Sequence, residues 1–215
     1  RKYFPKLNGF HAVSQAILNK AEKYYADINK VSVIRPAVNE KLLNYKADIV
    51  NNLDSDILHI ISVGRCHWIK GYTNALDAMV ILKNKKIKFY YTIIASGKDQ
   101  ENILYQIHDL GLNECVSFIN DELSHDEVLK KVSECDLFLL PSLEEGISNA
   151  VLEAMALGIP TIVLVSDTPL LYGNYSPRMY PITPDGEDTV GHDTLGKDKI
   201  NPEEIYIKAK KILNL

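Results

Sequence analysis

Glu145-Gly-Ile-Ser-Asn-Ala-Val-Leu-Glu153-Ala-Met-Ala-Leu-Gly158-Ile-Pro160 is the stretch on which the fold turns. An apolar run, Asp136-Leu-Phe-Leu-Leu-Pro-Ser142, precedes it and reads as a buried strand. Another, Thr161-Ile-Val-Leu-Val165, follows it. The segment between them is a short helix with two stop signals, Gly158 just past its end and Pro160 two residues later. Ala150, Val151, Leu152, Ala154, Met155, Ala156 and Leu157 make this helix apolar almost all round, so it is expected to be buried. Glu153 is its one charge, and a buried carboxylate is costly unless something pairs with it. Glu145 lies in the loop that feeds the helix. Two carboxylates therefore flank a helix N-terminus at the C-terminal edge of a sheet. Doubly wound proteins bind ligands at that edge, and helix N–H groups there favour phosphate.

The segment resembles the Glu-x7-Glu motif of the GT-B glycosyltransferases. The resemblance is to their large retaining group of the family 4 type (glycosyl transferases group 1), in its C-terminal donor-binding domain. That resemblance implies a role for each position. Glu145 would hydrogen-bond the donor sugar's hydroxyls. Gly146, Ile147, Ser148 and Asn149 would present backbone N–H groups to sugar and diphosphate. Glu153 would accept from the ribose hydroxyls of the nucleotide. The competing reading is a core helix whose Glu pairs with a neighbouring Lys or Arg. The flanking Pro141-Ser142 and the run Glu153-Ala-Met-Ala-Leu-Gly-Ile-Pro160 make the match specific.

A second element agrees. Ile57-Leu-His-Ile-Ile-Ser-Val-Gly64-Arg65 reads as a strand, followed by Cys66-His67-Trp68-Ile69-Lys70-Gly71 and an amphipathic stretch from Tyr72 to Lys83. The family carries Gly-Arg, a short loop and Lys-Gly here. By that match Gly64, Arg65 and Lys70 belong to the binding site, and Arg65 and Lys70 clamp the diphosphate. Negative charge grows on a nucleoside diphosphate leaving group as the glycosidic bond breaks. Fixed cations in a water-poor cleft stabilise that charge more than they stabilise bound substrate. Glu145, Arg65 and Lys70 are the expected catalytic residues. No metal ligand and no cofactor is expected, the donor substrate being a nucleoside diphosphate sugar. The plainer alternative is two surface cations on a βα loop.

Composition sets the remaining bounds. The chain has 215 residues, 46% hydrophobic and 24% charged, with a net charge of -4. That supports one sizeable core. The mild acidic balance argues against general nucleic-acid affinity. Cys66, Cys115 and Cys135 lack pair or metal spacing and suggest a reducing compartment. A Cys66–His67 nucleophile is disfavoured because adjacent loop residues rarely face each other and no third orienting group is visible. No signal peptide and no bilayer-spanning apolar run is present in the sequence. The expectation is a cytoplasmic protein, or one at the inner face of the membrane. A chain starting at Arg1 reads as a fragment of a longer protein.

Alternating elements predict a parallel sheet with helices on both faces, an α/β doubly wound, Rossmann-like fold. Strands are expected near 57–64, 88–95, 115–119, 136–141 and 161–165. Helices are expected near 72–84, 99–110, 124–134, 148–157 and 202–213. No Gly-x-Gly-x-x-Gly follows any strand, which counts against a nicotinamide or flavin site. Residues 10–14, a helical stretch to Tyr25 and residues 31–38 resemble the family's interdomain junction. That gives 1–40 as a remnant of an acceptor domain, 41–200 as the donor domain and 201–215 as a C-terminal helix. Residues 166–196 depart from the family, holding no matching second Gly-rich loop and Glu.

The expected function is transfer of a sugar from a nucleoside diphosphate sugar to a hydroxyl acceptor, with retention, in cell-surface or storage polysaccharide synthesis. The family's retention is described as front-face attack, so no enzyme nucleophile is demanded. The partners implied are the nucleotide-sugar donor, a glycan or lipid-linked acceptor bound through another domain, and peripheral membrane contact. The fragment alone is expected to be inactive. The alternatives are a nucleotide-sugar epimerase of the same fold, or a non-catalytic nucleotide-sugar-binding module.

Overall fold

The computed structural model describes residues 6–43, 56–145, 147–164, 179–182 and 201–213. The chain opens with β1 (Phe10–Ala12), α1 (Gln15–Glu22), β2 (Val31–Val33) and α2 (Glu40–Leu43). Next come β3 (Leu58–Arg65), α3 (Tyr72–Asn84), β4 (Phe89–Ser96), α4 (Gln100–Asp109) and β5 (Val116–Ile119). Then follow α5 (His125–Ser133), β6 (Leu137–Leu140), α6 (Asn149–Ala156), β7 (Thr161–Val163), β8 (Met179–Pro181) and α7 (Glu203–Leu213).

Six strands form one sheet in the order β5-β4-β3-β6-β7-β8, every neighbouring pair parallel. The strand order reverses between β3 and β6. That reversal opens a crevice at the C-terminal ends of these two strands, where doubly wound folds hold their ligands. The sheet is buried on both faces where its strands are most apolar, as parallel sheets require. On one face Ile60, Tyr91, Ile93, Leu139 and Ile162 join a core with α3, α4 and α7. On the other, Ile61, Phe138, Leu140 and Val163 pack with α5 and α6. The α/β doubly wound expectation is thus met, with helices on both faces.

Each predicted central strand and helix is present, most of them shortened at one end or both. The strand expected over 161–165 ends at Val163, and Val165 lies outside the described residues. Of the junction-like residues 31–38, only Val31–Val33 form a strand. β8 was not legible in the sequence, because three residues ending in Pro181 carry too little periodicity. The helix expected to be buried all round needs correction. Only Val151 and Ala154 within α6 are fully buried, while Leu152, Glu153 and Met155 are half-buried. Leu152 packs at the edge of the core and also lines a cleft beside α2.

Residues 6–40 do not join the main sheet. β1 and β2 pair with each other in a separate two-stranded parallel sheet. α7 belongs to the same core as α3, through buried Ile205 and Ala209. Lys85 of the α3 C-cap pairs with Glu203 at 2.9 Å and lies over the Tyr206 ring.

Candidate functional site

The loops after β3 and β6 interlock at the switch point. β3 leads through Cys66, whose N–H donates to Ser96 O at 2.7 Å, into a 3-10 turn over Trp68–Lys70. His67 caps that turn by accepting from the Ile69 N–H. Gly71 then takes a left-handed φ of 64° and starts α3. A side chain there would collide with the Pro141 carbonyl, so glycine is what allows the two loops to touch. Leu143 N–H donates to Ile69 O at 2.7 Å and fastens the β6 loop to the turn.

This docking brings Lys70 onto Glu145. The Lys70 ammonium donates to Glu145 Oε1, and Ser142 Oγ donates to the same oxygen at 3.0 Å. The side chains of Lys70 and Glu145 are only 15% and 10% exposed. The pair is therefore weakly screened and held in one geometry. Both bonds land on Oε1, and no other described residue donates to Oε2. Lys70 keeps two N–H donors beyond its bond to Glu145. Ser142 is a member of this cluster that sequence reasoning left unassigned. The signal was its place three residues before Glu145, at the end of a buried strand.

The other expected residues fall around this cluster. Gly64 is half-buried and lies over the Tyr72 hydroxyl and the Lys70 stem. Arg65 ends β3 with an exposed side chain and lines a groove with Val63, Ile94, Ile119 and Asp121. Lys70 is not among the residues lining that groove. Gly146 lies outside the described residues, as do 166–178 and 183–196. Ile147 is half-buried, and Ser148 is the buried N-cap of α6 without a side-chain cap bond. The first N–H groups of α6 are thus not claimed by its own cap, which suits an anion.

Glu153 turns away from Lys70. Its Oε1 lies 3.0 Å from His125 Nε2, and its side chain is 23% exposed. The competing core-helix reading gave Glu153 a Lys or Arg partner; its partner is a histidine, placed by a different element. His125 opens α5 behind a full capping box, in which Ser124 and Glu127 each satisfy the other's backbone N–H. Glu153 and His125 line a cleft of about 200 Å³ with Val38, Leu42, Asn149 and Leu152. His125 was missed because no spacing in the sequence links it to Glu153.

Cys66 is fully buried, and burial together with the Asp99 carboxylate pushes its thiol above the ordinary value. His67 is committed to the turn. A Cys66–His67 nucleophile is thereby removed. Among the described residues no cluster of three His, Cys, Asp or Glu could hold a metal ion, and no helix is long and apolar enough to cross a membrane.

This fold is that of the Rossmann-like C-terminal domain of GT-B glycosyltransferases. The chain belongs to the glycosyl transferases group 1 family, whose model matches residues 46–170. It is 34% identical over 139 residues to the amylovoran biosynthesis glycosyltransferase AmsK of Erwinia amylovora, across 62% of this chain and 33% of that protein. WaaG, a glycosyltransferase involved in lipopolysaccharide biosynthesis, superposes with a TM-score of 0.73 at 14% identity, over 95% of this chain and 53% of that one. An Anabaena protein, Alr3699/HepE, solved with UDP and glucose, superposes with a TM-score of 0.65 at 16% identity, over 99% of this chain and 64% of that one. The chain therefore spans a third to two-thirds of the length of these relatives.

Proposed function

We propose that this chain forms the donor side of a retaining glycosyltransferase of the family 4 type. The donor is a nucleoside diphosphate sugar, and the acceptor a hydroxyl of a cell-surface polysaccharide or its lipid-linked precursor. The observation that carries this reading is the Lys70–Glu145–Ser142 cluster at the β3/β6 switch point. Family membership, the polysaccharide roles in the relatives' names and the UDP bound to the Anabaena protein support it.

In this reading the leaving diphosphate sits beside Lys70 and over the N-terminus of α6. The ammonium and the helix N–H groups balance charge that grows on the phosphate as the glycosidic bond breaks. Lys70 is already fixed by Glu145, so little reorganisation accompanies the reaction. Glu145 offers Oε2 to a sugar hydroxyl and orients the ring. Arg65 approaches the diphosphate from the groove on the other side of Gly64. Glu153, held by His125, accepts from the ribose hydroxyls. Attack by the acceptor on the face that the phosphate leaves retains configuration and uses no enzyme nucleophile.

Isothermal titration of the chain with UDP, GDP, ADP and their glucose or mannose conjugates tests the reading. A dissociation constant in the micromolar range for one base family is expected. Absence of binding to every nucleotide would overturn it.

A further inference from the structure

Tyr72 opens α3 directly beneath the proposed diphosphate position and is 3% exposed. Its hydroxyl has no hydrogen-bond partner among the described residues. The other hydroxyls of this core are satisfied. Tyr91 donates to Ser62 Oγ at 2.8 Å, Ser62 donates to Leu139 O at 2.5 Å, and Thr161 donates to Ile159 O at 3.2 Å. A buried O–H without a partner costs stability, and a phenylalanine would fill nearly the same volume without that cost.

The position of the hydroxyl supplies a reason to keep it. The space that a side chain on Gly64 would take lies 3.1 Å from the Tyr72 oxygen. The same space lies 3.8 Å from Lys70 Cε and 3.9 Å from Cδ. The phenol and the lysine stem thus converge on one gap, kept open by a glycine at the end of β3. Burial, with Tyr91, Cys66 and Glu145 nearby, holds the phenol well above the ordinary tyrosine range, so it stays a donor at any working pH.

We propose that Tyr72 is a binding residue of the donor site, its O–H donating to a phosphate oxygen of the nucleoside diphosphate seated over Gly64 beside Lys70. This rests on the reading of Lys70 as the diphosphate ligand. Bound donor would supply the hydrogen-bond partner that the phenol lacks among the described residues.

The test is Tyr72→Phe beside wild type and Lys70→Ala, measured by titration calorimetry with UDP, GDP, ADP and inorganic pyrophosphate, and by thermal melting without ligand. Tyr72→Phe is expected to melt at the wild-type temperature or higher, yet to bind nucleoside diphosphate and pyrophosphate about tenfold more weakly. Wild-type affinity in Tyr72→Phe alongside a loss in Lys70→Ala would overturn the role of Tyr72 and leave the diphosphate reading standing. A lower melting temperature in Tyr72→Phe would show a structural bond and would also overturn it. No binding by wild type would remove both.

Discussion

Lys70 and Glu145 stabilise and restrain each other, and this shapes what their replacement does. Removing one partner of a largely buried pair leaves the other charge uncompensated, which costs more than the pair itself contributes. Lys70→Ala is therefore expected to weaken nucleoside diphosphate binding at least tenfold. It should also lower stability by about 1–3 kcal/mol, since Glu145 would keep only the Ser142 hydroxyl. The double variant Lys70→Ala/Glu145→Ala should be no less stable than Lys70→Ala alone, as urea unfolding would show. If Lys70 and Glu145 did not interact in the free protein, the two losses of stability would instead add. Glu153→Gln is a different case. Its carboxylate is half-buried and can be replaced by an amide that still meets His125. Weaker nucleotide binding with an unchanged melting temperature is expected. Unchanged affinity with a large drop in melting temperature would return Glu153 to the role of a core residue.

Two elements set the geometry of the cleft. The turn over Trp68–Lys70 and the start of α3 depend on Gly71, whose φ of 64° and contact with Pro141 admit no side chain. Gly71→Ala should shift the β6 loop that carries Glu145. Stability should fall by roughly 1–3 kcal/mol, or about 2–4 °C per kcal/mol for a chain of this size. Nucleotide affinity should fall with it. An alanine variant that melts and binds as wild type would show that the loops are not docked as described. The second element is α5, whose capping box places His125. Ser124 bonds hold the Glu127 carboxyl below its ordinary value of 4.5. The sign follows from a lowered folded value: the stabilisation is complete above the unfolded value and is lost as pH falls through the folded one. Protection of the first turn of α5, taken relative to the intrinsic exchange rate at each pH, should therefore fall below about pH 4.5, while protection in β3 and β4 changes less. Ser124→Ala should remove that difference and cost about 1 kcal/mol at neutral pH.

At the scale of the whole molecule, the proposed donor cleft lies at one edge of the six-stranded sheet, and among the described residues the sheet does not supply its far side. Lys20 of α1 reaches Glu144 at 3.4 Å, which ties the β1–α1–β2 unit to the loop carrying Glu145. Glycosyl transfer needs donor and acceptor held together in near-attack geometry. The chain spans only 33% of AmsK and 53% of WaaG, so the acceptor surface is expected from sequence beyond these 215 residues. The 215-residue chain should bind nucleoside diphosphate yet release no sugar to acceptor, whereas a protein extended at its N-terminus should turn over. Radiolabelled sugar transfer by the short chain at a rate matching the extended one would contradict this division of labour.

The alternation of apolar runs with amphipathic stretches determined the parallel sheet and the order of its central elements, because period and punctuation are local properties of a chain. Glu145, Glu153, Gly64, Arg65 and Lys70 were named from the resemblance to the family's motifs, which are likewise short local stretches of sequence. Only the tertiary structure decided which of them meet. Lys70 and Glu145 are joined because β3 and β6 become neighbours at the point where the strand order reverses, across a separation of 75 positions. His125 meets Glu153, and Tyr72 lies under Gly64, through the packing of helices on opposite faces of the sheet. The half-exposed side of α6 was hidden for a related reason: composition measures how apolar a helix is, while its surroundings determine how many of its faces are covered.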